Sequence, residues 1–194
     1  MSEPFLITPP TVEPVSIADM RMQCRVDADD ASEDALLAIY ITAARMAAEH
    51  ELQRALINQT WELRIDAFPE AEIRLDKSPA VSVSGVLYVD AAGALQTLSS
   101  GAYVLDSNTA PGWLLPADGT NWPATDDVAN AVRVQFVAGY GATADTVPAN
   151  VRAWILVTAA TLYAQREAID LSGKAVALPG RFIDRLLDEH RFYG

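Results

Sequence analysis

Residues 132–168 constrain the fold more than any other part of the chain. Residues 132–138 alternate valines with polar side chains, a pattern typical of a β-strand, and a Gly-Tyr-Gly turn follows. Pro148 then favours a helix start, because its missing N–H would have no intrahelical partner there. The predicted helix runs over 148–170, and apolar residues cover almost its whole circumference. Such a helix lies at the centre of a core or between copies of the protein.

A second long helix is predicted over residues 32–56. Its apolar residues recur at spacings of three and four in two neighbouring stripes. The first stripe comprises Leu37, Ile41, Ala44, Ala48, Leu52 and Ala55. The second comprises Leu36, Ile39, Ala43 and Met46, and ends at His50, which we interpret as an ordinary half-buried histidine. Two stripes indicate a helix covered on more than one side, as in a bundle or a subunit interface.

From residue 58 the hydrophobic period changes from that of a helix to that of a strand. Apolar and polar side chains alternate, and residues 90–93 have the composition of a hairpin turn. The predicted strands are 59–66, 71–75, 83–89, 94–98, 102–106 and 132–138. The expected fold class is α+β: a helical frame of two N-terminal and two C-terminal helices, with an inserted antiparallel β domain of about six strands.

The order of these patterns divides the chain into five parts. Ser16 and Asp19 have capping-box spacing, so a short first helix should begin there and end near Arg25. The proline-rich N-terminus is either a free end or an arm laid on a neighbouring subunit. The predicted parts are an extended arm (1–15), N-terminal helices (16–57), a β insertion (58–147), a central long helix (148–170), and a linker with a C-terminal amphipathic helix (171–194).

Residues 107–127 form a long stretch rich in proline and glycine that contains Trp113 and Trp122. A structureless loop of this length in a compact domain is either functional or disordered, and apolar anchors argue against disorder. One interpretation is that the two tryptophans cover an open end of the sheet. The other is a protein-contact loop, since tryptophan is enriched at interfaces.

Composition excludes several classes of protein. The net charge of −12 argues against a protein that grips nucleic acid through its phosphates. The single cysteine, Cys24, excludes an internal disulfide. The N-terminus has no signal-peptide pattern, and the longest uncharged apolar stretch is shorter than the ~20 residues of a membrane span. The sequence therefore predicts a soluble protein made in the cytoplasm, without a membrane partner.

Motifs that carry chemistry are missing from the sequence. There is no nucleophile elbow, no phosphate-binding glycine loop with a lysine, and no cluster of cysteine and histidine. The acidic residues 27–33 resemble a calcium loop only superficially, because its sixth and twelfth positions hold Ser32 and Ala38 instead of glycine and glutamate. We therefore predict no catalytic residue, no metal ligand and no cofactor, and expect the protein not to be an enzyme.

Several segments occur in a characteristic order: PVSIADMRMQCRVD, the helix DDASEDALLAIYITAARMAAEHELQRAL, INQTWELRIDAFP, VSGVLYVDAAGALQTLSSGAYVLD, NWP, and VRVQFVAGYG followed by VPANVRAWILVTAATLYAQREA. This ordered set resembles one family, the head–tail connector (adaptor) proteins of tailed phages, prophages and gene-transfer-agent particles. Together the segments cover residues 14–168.

This resemblance implies a structural protein of the particle neck. About twelve copies would form a ring under the portal protein, extend the DNA channel and give a stopper or tail-completion protein a place to dock. DNA would pass without specific binding, and an acidic channel wall would repel its phosphates. The alternative is a self-contained module that binds a ligand or peptide with the β domain and the tryptophan loop.

No catalytic residues accompany the resemblance, so the candidate sites are surfaces. The two long helices are the expected contacts between neighbouring subunits, and the C-terminal segment is the expected contact with the portal. The candidate subunit-interface residues are Leu37, Ile41, Trp154, Ile155 and Leu162. The candidate portal-docking residues are Phe182, Ile183, Leu186, Leu187, Phe192 and Tyr193.

Overall fold

A computed structural model describes residues 3–165, 183 and 185–191. The chain divides into two compact units. The first, which we call the β unit, comprises Met1–Pro10 and Asn58–Tyr140. The second, the helical unit, comprises Thr11–Ile57 and Gly141–Gly194. The described part contains three α-helices and eight strands, which confirms the α+β class.

The β unit consists of two antiparallel sheets. The larger has the strand order β1-β2-β8-β4-β5, and the smaller has the order β3-β7-β6. The strands are β1 (Phe5–Thr8), β2 (Gln59–Ile65), β3 (Ile73–Leu75), β4 (Ala80–Val89), β5 (Leu95–Thr97), β6 (Tyr103–Asp106), β7 (Gly112–Pro116) and β8 (Val132–Ala138).

Strand β8 is the centre of the larger sheet and carries the core of the β unit. Its alternate residues Val132, Val134 and Phe136 are fully buried. Phe136 lies opposite Trp61 on β2 and opposite Val83 on β4. Because side chains of a strand alternate between its two faces, every second side chain of β8 lies in the interior.

The sequence predicted six strands and missed β1 and β7. Strand β1 belongs to the proline-rich arm and pairs antiparallel with β2 of the same chain, with Leu6 opposite Trp61. The arm is therefore an edge strand of this chain's own sheet. Strand β7 lies in the predicted irregular stretch and contains Trp113. The hairpin turn at residues 90–93 is confirmed, with Gly93 at φ 79°.

The helical unit contains α1 (Ile17–Cys24), α2 (Asp34–Leu52) and α3 (Ala149–Ala164), and each pair of helices is in contact. The predicted capping box is confirmed: the Ser16 hydroxyl accepts from the Asp19 N–H, and the Asp19 carboxylate accepts from the Ser16 N–H. Hydrogen bonds from the Ser16 hydroxyl and N–H lower the pKa of Asp19. The predicted end of α1 near Arg25 is confirmed, and the structure adds that this C-cap residue has the left-handed conformation.

Helices α2 and α3 are shorter than the sequence suggested. Helix α2 ends at Leu52, with Gln53 in the left-handed conformation, whereas the prediction continued to residue 56. The described part of α3 ends at Ala164 with Pro148 at its N-cap. Residues 166–182, 184 and 192–194 lie outside the described residues, so the predicted C-terminal helix is described only in part. No helix in the described ranges is long and apolar enough to cross a membrane.

Candidate assembly surfaces

Four of the five predicted subunit-interface residues point into the chain's own interior. Leu37, Ile41 and Ile155 are at most 1% exposed, and Trp154 is 7% exposed. Only Leu162, at 37%, has substantial exposure. Packing within the helical unit accounts for the apolar character of these four residues. Their composition is therefore no longer a reason to assign them to a contact with a neighbouring copy.

The second stripe of α2 faces solvent. Ile39 is 63% exposed and Met46 is 59% exposed, and Ala43 between them is exposed as well. With Ala38 and Thr42 these residues line a shallow groove of about 410 Å³, which we call the outer α2 face. His50 at the end of the stripe is exposed, so the prediction of a half-buried histidine was wrong. Large apolar side chains left in solvent side by side are typical of an interaction surface.

The described C-terminal residues pack against other residues of the helical unit, to which they belong. Among the predicted portal-docking residues, Leu187 is fully buried, whereas Ile183 and Leu186 are half-buried. The Arg54 guanidinium donates to the His190 carbonyl at 2.7 Å, and the His190 ring lies 3.1 Å from the Asn150 side-chain oxygen. Burial within its own chain argues against Leu187 as a portal contact.

The remaining predicted portal-docking residues, Phe182, Phe192 and Tyr193, lie outside the described residues. Three of the six predicted portal-docking residues are thus described. Of these three, Ile183 and Leu186 have side chains partly in solvent.

A buried ion-pair network holds the segment before α1 against α2. Arg45 is 6% exposed, and its guanidinium donates to Glu13 and to Glu49, each at 2.7 Å. The second Glu13 oxygen accepts from the Thr42 hydroxyl at 2.9 Å, and the second Glu49 oxygen accepts from the Leu56 N–H at 2.9 Å. Both carboxylates thus have two donors each, and this arrangement offsets the cost of burying the three charges. No local pattern in the sequence indicates this network, because Glu13 lies thirty-two positions before Arg45.

The β unit has a buried carboxylate of its own on β2. Glu62 is 4% exposed and accepts from Arg64 at 2.6 Å and from Gln135 at 2.7 Å. Burial raises the pKa of Glu62, but the two hydrogen bonds and the charges of Arg64 and Arg133 outweigh it, so the pKa lies below 4.5. The Glu62 carboxylate is therefore charged at neutral pH and hydrogen-bonded to Arg64 and Gln135.

Because the folded state lowers the pKa of Glu62, this group stabilises the fold above its unfolded pKa of about 4.5, and that contribution is lost as pH falls through the folded value. We expect Glu62→Gln to destabilise the protein by about 1–3 kcal/mol at pH 7. The difference from wild type should shrink steadily below about pH 4.5. Urea unfolding at a series of pH values measures it, and a difference that stays constant down to pH 3 would contradict the assignment.

The surface of the β unit is strongly acidic. Its residues include eleven acidic and four basic side chains, so its net charge is 4 − 11 = −7. Three of the four cations are engaged within the unit: Arg64 with Glu62, Arg74 with Asp76, and Lys77 with Glu3 and the Trp61 ring. The exposed acidic residues include Asp66, Glu70, Glu72, Asp118 and Asp127. Such a surface repels phosphates.

The tryptophans of the predicted loop are parts of the fold. The Trp122 ring stacks on Phe68 with centroids 4.9 Å apart, and its N–H donates to the Ala71 carbonyl at 2.6 Å. Trp113 is half-buried in β7. An apolar cavity of about 240 Å³ lies in this unit, and neither tryptophan lines it. This placement favours the interpretation that the tryptophans cover the sheet.

The described residues contain no group of three or more His, Cys, Asp or Glu side chains placed to hold a metal ion. Two acidic residues at the start of α2 are engaged in local structure: Asp30, before the helix, accepts from the Ser32 N–H at 2.8 Å, and Asp34, its first residue, forms an ion pair with Arg21 at 2.6 Å.

Comparison with known proteins supports the resemblance seen in the sequence. Residues 14–85 match the model of the phage gp6-like head-tail connector protein family. A chain in the virion of a native gene transfer agent particle superposes with a TM-score of 0.80 and 26% identity, covering 98% of this chain and 96% of that one. No curated protein matches the chain.

Two further chains show the same fold. One, from the neck of an empty gene transfer agent particle computed with C6 symmetry, has a TM-score of 0.80 at 24% identity and covers 99% of this chain and 96% of that one. The other, from the neck of a native particle computed with C12 symmetry, has a TM-score of 0.71 at 24% identity, with coverages of 100% and 96%. The predicted resemblance to head–tail connectors is confirmed.

Proposed function

We propose that this chain, similar to gp6-like head–tail connectors in residues 14–85, is a structural connector subunit at the neck of a phage or gene-transfer-agent particle. The observation that carries the proposal is the match to a virion chain over nearly the whole length of both proteins. A connector acts by shape and contact, which fits a chain whose described residues offer apolar and acidic surfaces.

We further propose that about twelve copies form a ring under the portal. The C6 and C12 symmetry with which the two neck structures were computed supports a ring, because subunits related by rotation close on themselves. The acidic β unit supports a DNA channel next to it, since a wall of carboxylates lets DNA pass without holding it.

The portal and the stopper or tail-completion protein are the proposed partners on the two sides of the ring. For the portal, the C-terminal segment remains the proposed contact through Ile183 and Leu186, together with Phe182, Phe192 and Tyr193. We no longer include Leu187 among the proposed portal contacts, because it is buried in its own chain.

The test is to separate particles from a producing strain on a density gradient and to quantify this protein against the portal protein. We expect a fixed ratio of the two in DNA-containing particles, and we expect deletion of this chain to yield filled heads without tails. A preparation from cells that lack the portal is the control, because it should leave this protein at the top of the gradient.

The alternative function, a ligand-binding module, predicts a different result. The protein would stay in the soluble fraction while complete particles form without it, and the apolar cavity of the β unit would then be the site to investigate. That result would overturn the connector proposal.

A further inference from the structure

We propose that the outer α2 face docks on the outward face of α3 of a second copy of this chain. This inference rests on the proposed ring and assigns the contact between its neighbouring subunits. It replaces the buried stripe of Leu37 and Ile41 with the exposed stripe of Ile39 and Met46 as the surface that meets the neighbour.

The outer α2 face is uncharged along its whole length of about two and a half turns. Ile39, Thr42, Ala43 and Met46 lie within one arc of the helix at spacings of three, one and three. The only charged residue between positions 35 and 48 is Arg45, which turns inward to Glu13 and Glu49. In a chain with 21% charged residues, an exposed helix face without charge is unusual.

Helix α3 provides a second uncharged face. No charged residue occurs between Ala153 and Gln165. The outward arc comprises Ala153, Leu156, Val157, Ala160 and Ala164, which are exposed or half-buried. Its small side chains leave room for the larger ones of a neighbouring helix, as in the packing of ridges into grooves.

A second copy fits these two faces better than a charged partner does. A ring requires a heterologous contact, in which two different patches of one chain meet on neighbouring copies, and α2 and α3 provide two such patches. The contact places uncharged residues against uncharged residues, so no ion loses its hydration. The sizes also match, because Ile39 and Met46 are large and Ala153, Ala160 and Ala164 are small.

The first experiment introduces a charge into the outer α2 face. We expect Ile39→Glu and Met46→Glu to fold as wild type by circular dichroism, because both side chains are largely in solvent. Their incorporation into particles should fall by about tenfold or more, because the contact would bury an unpaired carboxylate. Met22→Glu is the matched control: Met22 lies on α1, is 78% exposed, and should be incorporated normally.

The second experiment identifies the neighbouring surface by cross-linking. In a Cys24→Ser background, the double variant Met46→Cys/Ala160→Cys in assembled particles should react with a short bis-maleimide to give a ladder of multiples of the chain. Each single variant should give none. Dimers from Met46→Cys alone would indicate a two-fold contact between α2 helices, and would overturn the proposal.

The outcomes separate this inference from the connector function. If wild type is present in particles and folded Met46→Glu is incorporated equally, the proposed interface is wrong and the connector function stands. If the wild-type protein itself is absent from particles, the proposed connector function is wrong.

Discussion

Replacing Arg45 with methionine is expected to destabilise the helical unit by about 3–5 kcal/mol, because it leaves two carboxylates without their shared cation in a poorly hydrated site. Arg45 is 6% exposed, and the side chains of Glu13 and Glu49 are 28% and 14% exposed. Methionine replaces the aliphatic part of the side chain, so the loss is mainly electrostatic. Urea unfolding followed by circular dichroism at 222 nm measures it.

The matched control for Arg45→Met is Arg152→Met. The ion pair of Arg152 with Asp145 is long, at 3.9 Å, and Asp145 is 95% exposed, so we expect a cost of about 0–1 kcal/mol. The triple variant Glu13→Gln/Arg45→Met/Glu49→Gln should recover much of the stability, because no buried charge is left unpaired. Equal losses in Arg45→Met and Arg152→Met would contradict the role assigned to the network.

Phe136→Ala is expected to cost about 3–5 kcal/mol in the β unit, because it opens a cavity beneath the central strand of the larger sheet. Phe136 is fully buried on β8, between Trp61 and Val83 of the flanking strands. Hydrogen exchange should show faster exchange of the β2 and β8 amides that pair across this position.

The same substitution at the sheet edge provides the comparison. Phe5 lies on β1, is 41% exposed, and contacts the Arg64 guanidinium 4.5 Å from its ring centre. Phe5→Ala should therefore cost about 1 kcal/mol, mainly from this contact and partial burial. A cost for Phe136→Ala no larger than that for Phe5→Ala would show that β8 is not the core of the sheet.

Local signals in the sequence predicted local structure well. Ser16 and Asp19 placed the start of α1 because the capping box involves only residues within one turn. The hairpin at residues 90–93 was equally clear, since Asp90 accepts from the N–H groups of Ala92 and Ala94 nearby. Six of the eight strands were found in the same way, from alternation within each segment.

Long-range pairing explains the two strands that were missed. Strand β1 is flanked by prolines and is recognisable only through its partner β2, more than fifty residues later. Strand β7 contains Gly112, where an added Cβ would lie 2.7 Å from the Ala80 Cβ. Close packing between strands therefore requires glycine here, although glycine is typical of a loop. Neither requirement can be seen in the segment itself.

The candidate surfaces were harder to predict than the elements that carry them. Helix α2 has two apolar stripes of similar composition, and periodicity does not say which one faces inward. The deciding residue is Arg45, which lies beside the first stripe and has its partner Glu13 thirty-two positions earlier. The interface residues that the sequence predicted on α2, Leu37 and Ile41, therefore belong to the stripe that packs inside the chain.

The contact between α2 and α3 also has a consequence for synthesis on the ribosome. Helix α2 is complete at residue 52, whereas α3, which packs against it, begins at residue 149. At a synthesis rate of about 5–20 residues per second, roughly 5–20 s pass between the completion of α2 and the start of α3. During that time both of its stripes face water, so a nascent chain arrested before α3 would expose Leu37 and Ile41 as well as Ile39 and Met46. Premature termination in this interval should therefore produce an aggregation-prone fragment that chaperones and proteases recognise.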